Sequence, residues 1–198
     1  MGNDDSRLER AFRRFDAVNA EDPRQEALEG GSEPKELLYA RRMSTALDGF
    51  QPEASEALRL AVRAQHIARW RIPRSEYPMD RSGYKQWRTR LMRYHAELAS
   101  EILREVGYEE ATVHRVEQLL RKQGLKRDAD VQTLEDVACL VFLGYYLDDF
   151  AREHDDDKLV DILKKTWDKM SPAGREAALA LDLSERAARL VRRALSDP

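Results

Sequence analysis

The sequence lacks the features that mark several large classes of protein. Its 198 residues contain a single cysteine, Cys139, which excludes an internal disulfide framework. No apolar run approaches the roughly 20 residues that a transmembrane helix needs. The first ten residues are charged rather than signal-like. We therefore expect a cytoplasmic protein that does not associate with membranes.

The chain also lacks a strong excess of charge of either sign. Lys and Arg number 34 and Asp and Glu number 37, which gives a formal net charge of -3 at neutral pH. This balance excludes a global basic field of the kind that drives non-specific nucleic-acid binding, although local basic patches are compatible with it. Nucleic acid is therefore not the favoured partner, and the oligomeric state is left open.

Helical periodicity is what the sequence contains in abundance. Apolar residues make up 42% and charged residues 36% of the chain, as in amphipathic helices with charged outer faces. No stretch alternates apolar and polar residues long enough to indicate a sheet. The pattern predicts an all-α protein, a single domain over residues 1–198 that forms a bundle of about eight or nine helices.

Two of the central helices carry a histidine among apolar neighbours. The third predicted helix follows Pro52, continues to Pro73 and is apolar on most of its circumference, which places it in the centre of the bundle with His66 on it. The fourth, over about residues 83 to 106, carries His95 in the apolar stripe Leu91, His95, Leu98, Ile102. His95 is therefore expected to face inward. Either histidine has core packing against a neighbouring helix as its alternative role.

A carboxylate completes a candidate ligand set with these two histidines. The sixth predicted helix starts at Thr133, which places Asp136 in its first turn. Two imidazoles and a carboxylate commonly hold a divalent metal and leave positions open for water and substrate. Alternatively, Asp136 completes a capping box with Thr133, and Glu135 is a second candidate for the functional carboxylate.

The order of helices over about residues 35 to 150 resembles that of the HD-domain metal phosphohydrolases. The resemblance is carried by the blocks "ELLYARRM", "AQHIAR", "YHAELASEILREVGY" and "TLEDVACLVFL". In that superfamily, successive helices supply histidines and aspartates that converge on one or two metal ions. The resemblance assigns His66, His95 and Asp136 to one divalent metal ion in an HD-like core, with the helices of residues 157–196 packed on that core.

Several ligand positions of that superfamily are neutral or cationic here. Arg41 or a neighbour occupies the first-histidine position, Gln65 and His66 replace a His-Asp pair, and Lys122 lies near the fourth histidine. The resemblance implies a metal-dependent hydrolase of a phosphorylated small molecule or nucleotide, with Arg41, Gln65, Arg69 and Lys122 binding the substrate. The alternative is a non-catalytic module on the same bundle that binds an anionic ligand, a nucleotide or a nucleic-acid end.

Nearly the whole chain also resembles an uncharacterised family found in bacteria and fungi. The resemblance is carried by the blocks "ELLYARRM", "AQHIARW", "YPMDR", "YHAELA" and "LKRDADVQTLEDVACLVFL". That family bears only a domain-of-unknown-function label, so the resemblance implies no particular reaction.

Overall fold

The computed structural model describes residues 6–196, which divide into two compact units, one ending at Gln123 and the other beginning at Gly124. Helices dominate both units, so the prediction of a mainly helical protein is confirmed. Within the described residues, none of these helices combines the length and apolarity that a membrane span requires. The single domain and the HD-like core stay predictions.

Over residues 6–123 the first unit is a bundle of five α-helices. They are α1 (Arg7–Asn19), α2 (Lys35–Phe50), α3 (Glu56–Ala64), α4 (Arg81–Val106) and α5 (Glu110–Leu120). Helix α3 packs against α1, α2 and α5, and its Leu58, Leu60 and Val62 are fully buried. This apolar helix therefore lies at the centre of its unit, as its sequence predicted.

A two-stranded antiparallel hairpin lies between α1 and α2, although the sequence indicated no sheet. Strands β1 (Gln25–Leu28) and β2 (Gly31–Pro34) pair with Leu28 opposite Gly31. Gly30 has a φ of +92° in the turn, a conformation that costs glycine little because it lacks a Cβ. Most strand residues are exposed, so neither face shows the apolar alternation that signals a strand. The hairpin corrects the all-α prediction by one small sheet.

The sequence predicted that α3 continues for about two further turns, to Pro73, but the helix ends at Ala64. Ala68 adopts a left-handed backbone with a φ of +52°, which a helix cannot accommodate, and a 3₁₀ turn over Arg69–Arg71 follows. The Ala68 amide donates a hydrogen bond to Asn19 Oδ1 at 3.0 Å, which holds the break in place. His66 therefore lies on a turn and not on a helix, because a contact from α1 interrupts the local helical pattern.

Helix α4 presents its predicted stripe to the interior of the unit. Leu91, His95 and Ile102 are buried, while Leu98 is partly exposed. Asp80 caps the start of the helix through the Gly83 amide, and Gly107 ends it with a φ of +92°. The inward orientation of His95 is therefore confirmed.

Over residues 124–196 the second unit contains five further α-helices and one π-helical segment. They are α6 (Ala129–Val141), the π-helical Phe142–Tyr146, α7 (Leu147–Arg152), α8 (Asp156–Lys169), α9 (Pro172–Leu179) and α10 (Glu185–Ser196). Helix α10 packs on α7 and α8, and α6 packs on α8 and α9. Ser171 caps α9, and Ser184 accepts a hydrogen bond from the Ala187 amide at the start of α10.

Helix α6 starts earlier than the sequence predicted. Asp128 accepts hydrogen bonds from the amides of Asp130 and Val131 and is the N-cap. Thr133 and Asp136 therefore lie inside the helix and are buried. The predicted capping box between Thr133 and Asp136 is therefore wrong, because Asp128 is the N-cap residue of this helix.

Candidate functional site

A cluster of polar side chains forms where α2, the turn after α3 and α4 meet. The His66 ring stacks on the Tyr39 ring with centroids 4.1 Å apart and an angle of 12° between planes. His66 Nδ1 lies 3.6 Å from Glu36 Oε2, and His66 Nε2 lies 3.0 Å from Arg69 Nη1. The His95 ring centroid is 6.0 Å from that of His66. We call these five residues the His66 cluster.

The hydrogen bonds of His66 determine its tautomer. A guanidinium group only donates hydrogen bonds, so His66 Nε2 must accept from Arg69 and the ring proton must lie on Nδ1, on the side of Glu36. Burial, assisted by the positive charges of Arg69, Arg88 and Lys122, holds the pKa of His66 well below its ordinary value. The imidazole is therefore neutral at physiological pH.

His95 is a second neutral imidazole with a defined tautomer. Its Nδ1 lies 2.7 Å from the carbonyl oxygen of Ile67, which can only accept, so Nδ1 carries the proton. Burial, with a smaller effect of His66 and Arg69, lowers the pKa of His95 to about 3. Its Nε2 is buried and has no hydrogen-bond partner among the described residues. One unsatisfied lone pair thus lies beside His66 inside the unit.

The one carboxylate of the cluster is hydrogen-bonded to another arginine. Glu36 is buried on α2, and Arg24 Nη2 donates to its Oε1 at 2.8 Å. Arg24 also binds both carboxylate oxygens of Asp22, each at 2.9 Å, and Asp22 accepts from the Glu36 amide at 3.2 Å. Burial raises the pKa of Glu36, which the charges of Arg69 and Arg24 oppose. The negative charge of Glu36 therefore acts on both Arg24 and Arg69, and only Arg24 is hydrogen-bonded to it.

Two guanidinium groups beside His66 lack a carboxylate partner. Arg69 lies over the Trp87 ring at 4.7 Å from its centroid, and burial lowers the pKa of Arg69. Arg88 Nη1 donates only a long hydrogen bond, of 3.4 Å, to the Tyr84 hydroxyl. Among the described residues, neither arginine has a carboxylate oxygen within ion-pair distance. The site consequently presents unpaired positive charge around a neutral imidazole.

The structure brings five of the seven predicted site residues close together. His66, His95 and Arg69 belong to the His66 cluster, and Lys122, directly after α5, is near enough for its charge to lower the pKa of His66. Lys122 has a left-handed backbone with a φ of +52°, which costs a non-glycine residue about 1–3 kcal/mol and often occurs at functional sites. Gln65 is buried beside His66 as the C-cap of α3.

The other two residues are engaged elsewhere. Arg41 Nη1 donates to both carboxylate oxygens of Glu33, at 2.8 and 2.9 Å, on the exposed surface beside the hairpin. Asp136 lies in the second unit, where its Oδ1 accepts from the Ser171 amide at 2.8 Å and from Gln132 Nε2 at 3.1 Å. Its carboxylate thus connects α6 to the start of α9.

No metal-binding group of three or more His, Cys, Asp or Glu side chains occurs among residues 6–196. The alternative carboxylate, Glu135, forms an ion pair with Lys169 at 3.8 Å within the second unit. The binding of one divalent ion by His66, His95 and Asp136 stays a prediction.

Sequence reasoning missed Glu36, Tyr39, Arg88 and Trp87 as parts of this site. A signal for Glu36 was present, because it begins the buried stripe of α2, which is Glu36, Ala40, Met43 and Leu47. A carboxylate on an apolar stripe needs a buried partner, as a histidine on such a stripe does. The roles of Tyr39, Arg88 and Trp87 depend on contacts between helices, which local sequence patterns do not predict.

Comparison with known proteins gives one match. A model of the family described as Domain of unknown function (DUF4202) matches residues 9–191, a range that includes the whole His66 cluster. No curated protein and no solved structure matches the chain.

Proposed function

We propose that this chain, which belongs to the family described as Domain of unknown function (DUF4202), is a helical module that binds a phosphorylated small molecule or nucleotide. The observation that carries the proposal is the pair Arg69 and Arg88, which have no carboxylate oxygen within ion-pair distance among the described residues. Arg69 contacts a neutral His66 at 3.0 Å, and the charge of Arg88 acts on the same imidazole. A bound anion would supply the direct ion pair that these two guanidinium groups do not form within the protein.

Phosphate is the anion that suits these groups. A guanidinium group offers several N–H donors in a planar fork that matches phosphate oxygens better than an ammonium group does. One Arg69 donor binds His66 Nε2, which orients the guanidinium and leaves its other donors for a ligand. The Trp87 face below Arg69 restricts its motion further. The ligand would therefore meet a donor group that is already oriented.

The electrostatics of the site favour an anion over a cation. Arg69, Arg88 and Lys122 each lower the pKa of His66, so their positive charges act at that position. Glu36, the one carboxylate of the His66 cluster, is hydrogen-bonded to Arg24. We thus assign ligand recognition, rather than turnover, to this cluster.

Titration calorimetry with inorganic phosphate and ADP at low salt tests the proposal. Arg69→Gln and Arg88→Gln should each weaken binding by about tenfold or more, because a hydrogen bond to a charged group contributes about 1.5–3 kcal/mol. Arg41→Gln is the matched control, since Arg41 is paired with Glu33 on the exposed surface, and it should leave affinity unchanged. Equal affinities of all three variants and the parent protein would refute the proposal.

Metal-dependent phosphohydrolysis is the second candidate, favoured by the state of His95. Its Nδ1–H donates to a backbone carbonyl while Nε2 keeps a free lone pair, as in many metal-ligating histidines. Against this candidate, the Arg69 guanidinium lies 3.0 Å from His66 Nε2 and would repel a cation there. Metal analysis decides between the two. A stoichiometric ion that is lost in His66→Ala and His95→Ala supports the hydrolase, whereas phosphate binding that survives chelation supports the module.

A further inference from the structure

Positive charge is concentrated in one segment of the chain. Residues 69–96 contain eight Lys and Arg residues and only two Asp and Glu residues, a net charge of +6 within a chain of net charge -3. The segment comprises the 3₁₀ turn after α3, the loop that follows it and the first part of α4. Arg71 is paired with Glu21 and Arg90 with Glu97, so only the remaining cations can form an unpaired basic surface. Such a surface is the electrostatic signature of a site for a polyanion.

The first turns of α4 arrange part of this charge on one face. Arg81, Tyr84, Lys85 and Arg88 follow helical spacing and form what we call the basic-aromatic stripe. Arg81 and Lys85 are exposed, Arg88 is partly exposed and Tyr84 is 46% exposed. None of the three cations forms an ion pair within the described residues. The stripe therefore offers both unpaired charge and an accessible aromatic ring.

The stripe continues into the proposed phosphate site of Arg69, Arg88 and His66, which we call the small-anion site. The Tyr84 ring centroid is 6.0 Å from that of Trp87, and Arg69 lies over the Trp87 ring. Further along α4, the Arg90 guanidinium lies 5.9 Å from the centroid of Tyr94 and is paired with Glu97 at 3.7 Å. Cations and aromatic rings thus alternate along this surface, as they do in proteins that bind single strands.

We propose that the basic-aromatic stripe binds a single-stranded nucleic acid, with phosphates on Arg81, Lys85 and Arg88 and a base stacked on Tyr84. From Arg81 to Arg88 the helix advances about 10 Å, the length of about three nucleotides of a stacked strand. An acidic peptide would match the charges but would leave the tyrosine face unused. The inference goes beyond the proposed function, because Arg81, Tyr84 and Lys85 lie outside the small-anion site.

Fluorescence anisotropy with a labelled 12-nucleotide oligouridine and the full chain tests the stripe. The double variant Arg81→Gln/Lys85→Gln should weaken binding, and the slope of log affinity against log salt should decrease by about 1.4, or about 0.7 for each phosphate that the variant no longer neutralises. Lys164→Gln/Lys165→Gln on α8 is the matched control, because it removes the same charge from the second unit. This control should retain the affinity and salt slope of the parent protein.

The aromatic contribution is tested separately. Tyr84→Ala should bind the oligonucleotide at least about fivefold more weakly, since base stacking contributes about 1 kcal/mol or more, while Tyr84→Phe should bind like the parent. Absence of oligonucleotide binding, or equal binding by the parent, Tyr84→Ala and the double variant, would overturn the inference. Equal competition by polyglutamate of matched charge would also overturn it and would indicate an acidic protein partner.

The small-anion site is monitored in the same variants. Arg81→Gln/Lys85→Gln should bind inorganic phosphate with unchanged affinity, because Arg69 and Arg88 are intact. Loss of oligonucleotide binding with retained phosphate binding supports the stripe. The stripe can therefore fail while the proposed function holds, and a failure of the proposed function appears instead in Arg69→Gln and the phosphate titration.

Discussion

Acid should destabilise this protein through His95, a buried imidazole that cannot easily accept a proton in the folded state. The folded pKa of His95 is about 3, because burial disfavours the charged ring, whereas an unfolded chain gives histidine a pKa of about 6.5. Between these values, unfolding takes up one proton. The contribution of His95 to stability is therefore complete above about pH 6.5 and is lost as the pH falls towards 3.

The size of the effect follows from the difference between the two pKa values. Each pH unit below 6.5 removes about 1.4 kcal/mol from the free energy of unfolding, so the loss at pH 5 is about 2 kcal/mol. His95 is 3% exposed, which means that solvent does little to moderate this penalty. Burial also lowers the pKa of His66, which adds a loss of the same sign.

Urea unfolding at pH 7.5 and pH 5.0 measures this loss. His95→Asn keeps an amide donor near the position of Nδ1 for the Ile67 carbonyl, but asparagine is not protonated in this pH range. Between the two pH values its free energy of unfolding should therefore decrease by about 2 kcal/mol less than that of the parent. His114→Asn is the matched control, because the His114 side chain is 65% exposed. The reasoning is refuted if His95→Asn and the parent lose the same stability on acidification.

Three further predictions concern the second unit and the helix ends, and urea midpoints measure each of them. Gly174→Ala should destabilise by about 1–3 kcal/mol, because the added Cβ would lie 2.6 Å from Asp136 Cγ; no loss would mean that Asp136 moves freely. Gly49→Ala in α2 should stabilise by up to about 1 kcal/mol, since no atom lies within 4 Å of its Cβ position; a loss of stability would contradict this. Asp128→Ala should cost about 1 kcal/mol because α6 would have no side-chain cap, and an unchanged midpoint would refute that role.

Periodicity predicted the buried histidine of α4 but not the environment of its neighbour. His95 lies on an apolar stripe, so its inward orientation followed from spacing alone. The turn that contains His66 could not be predicted from spacing. It depends on the side chain of Asn19, at the end of α1, which accepts a hydrogen bond from the Ala68 amide. The hydrogen bond of Asp136 was not predicted for a similar reason, since the Ser171 amide that it binds caps a helix far along the chain.

The sequence by itself determined which segments are helical and which of their faces are buried, because both follow from side chains three and four residues apart. Only the tertiary structure decided which charges are paired. Arg41 and Arg69 are alike as sequence positions, yet Arg41 binds Glu33 of the hairpin while Arg69 meets His66 and Trp87. Ion pairing depends on the distance between separate segments of the chain. Folding therefore decides which cations stay unpaired, and those cations define the candidate site.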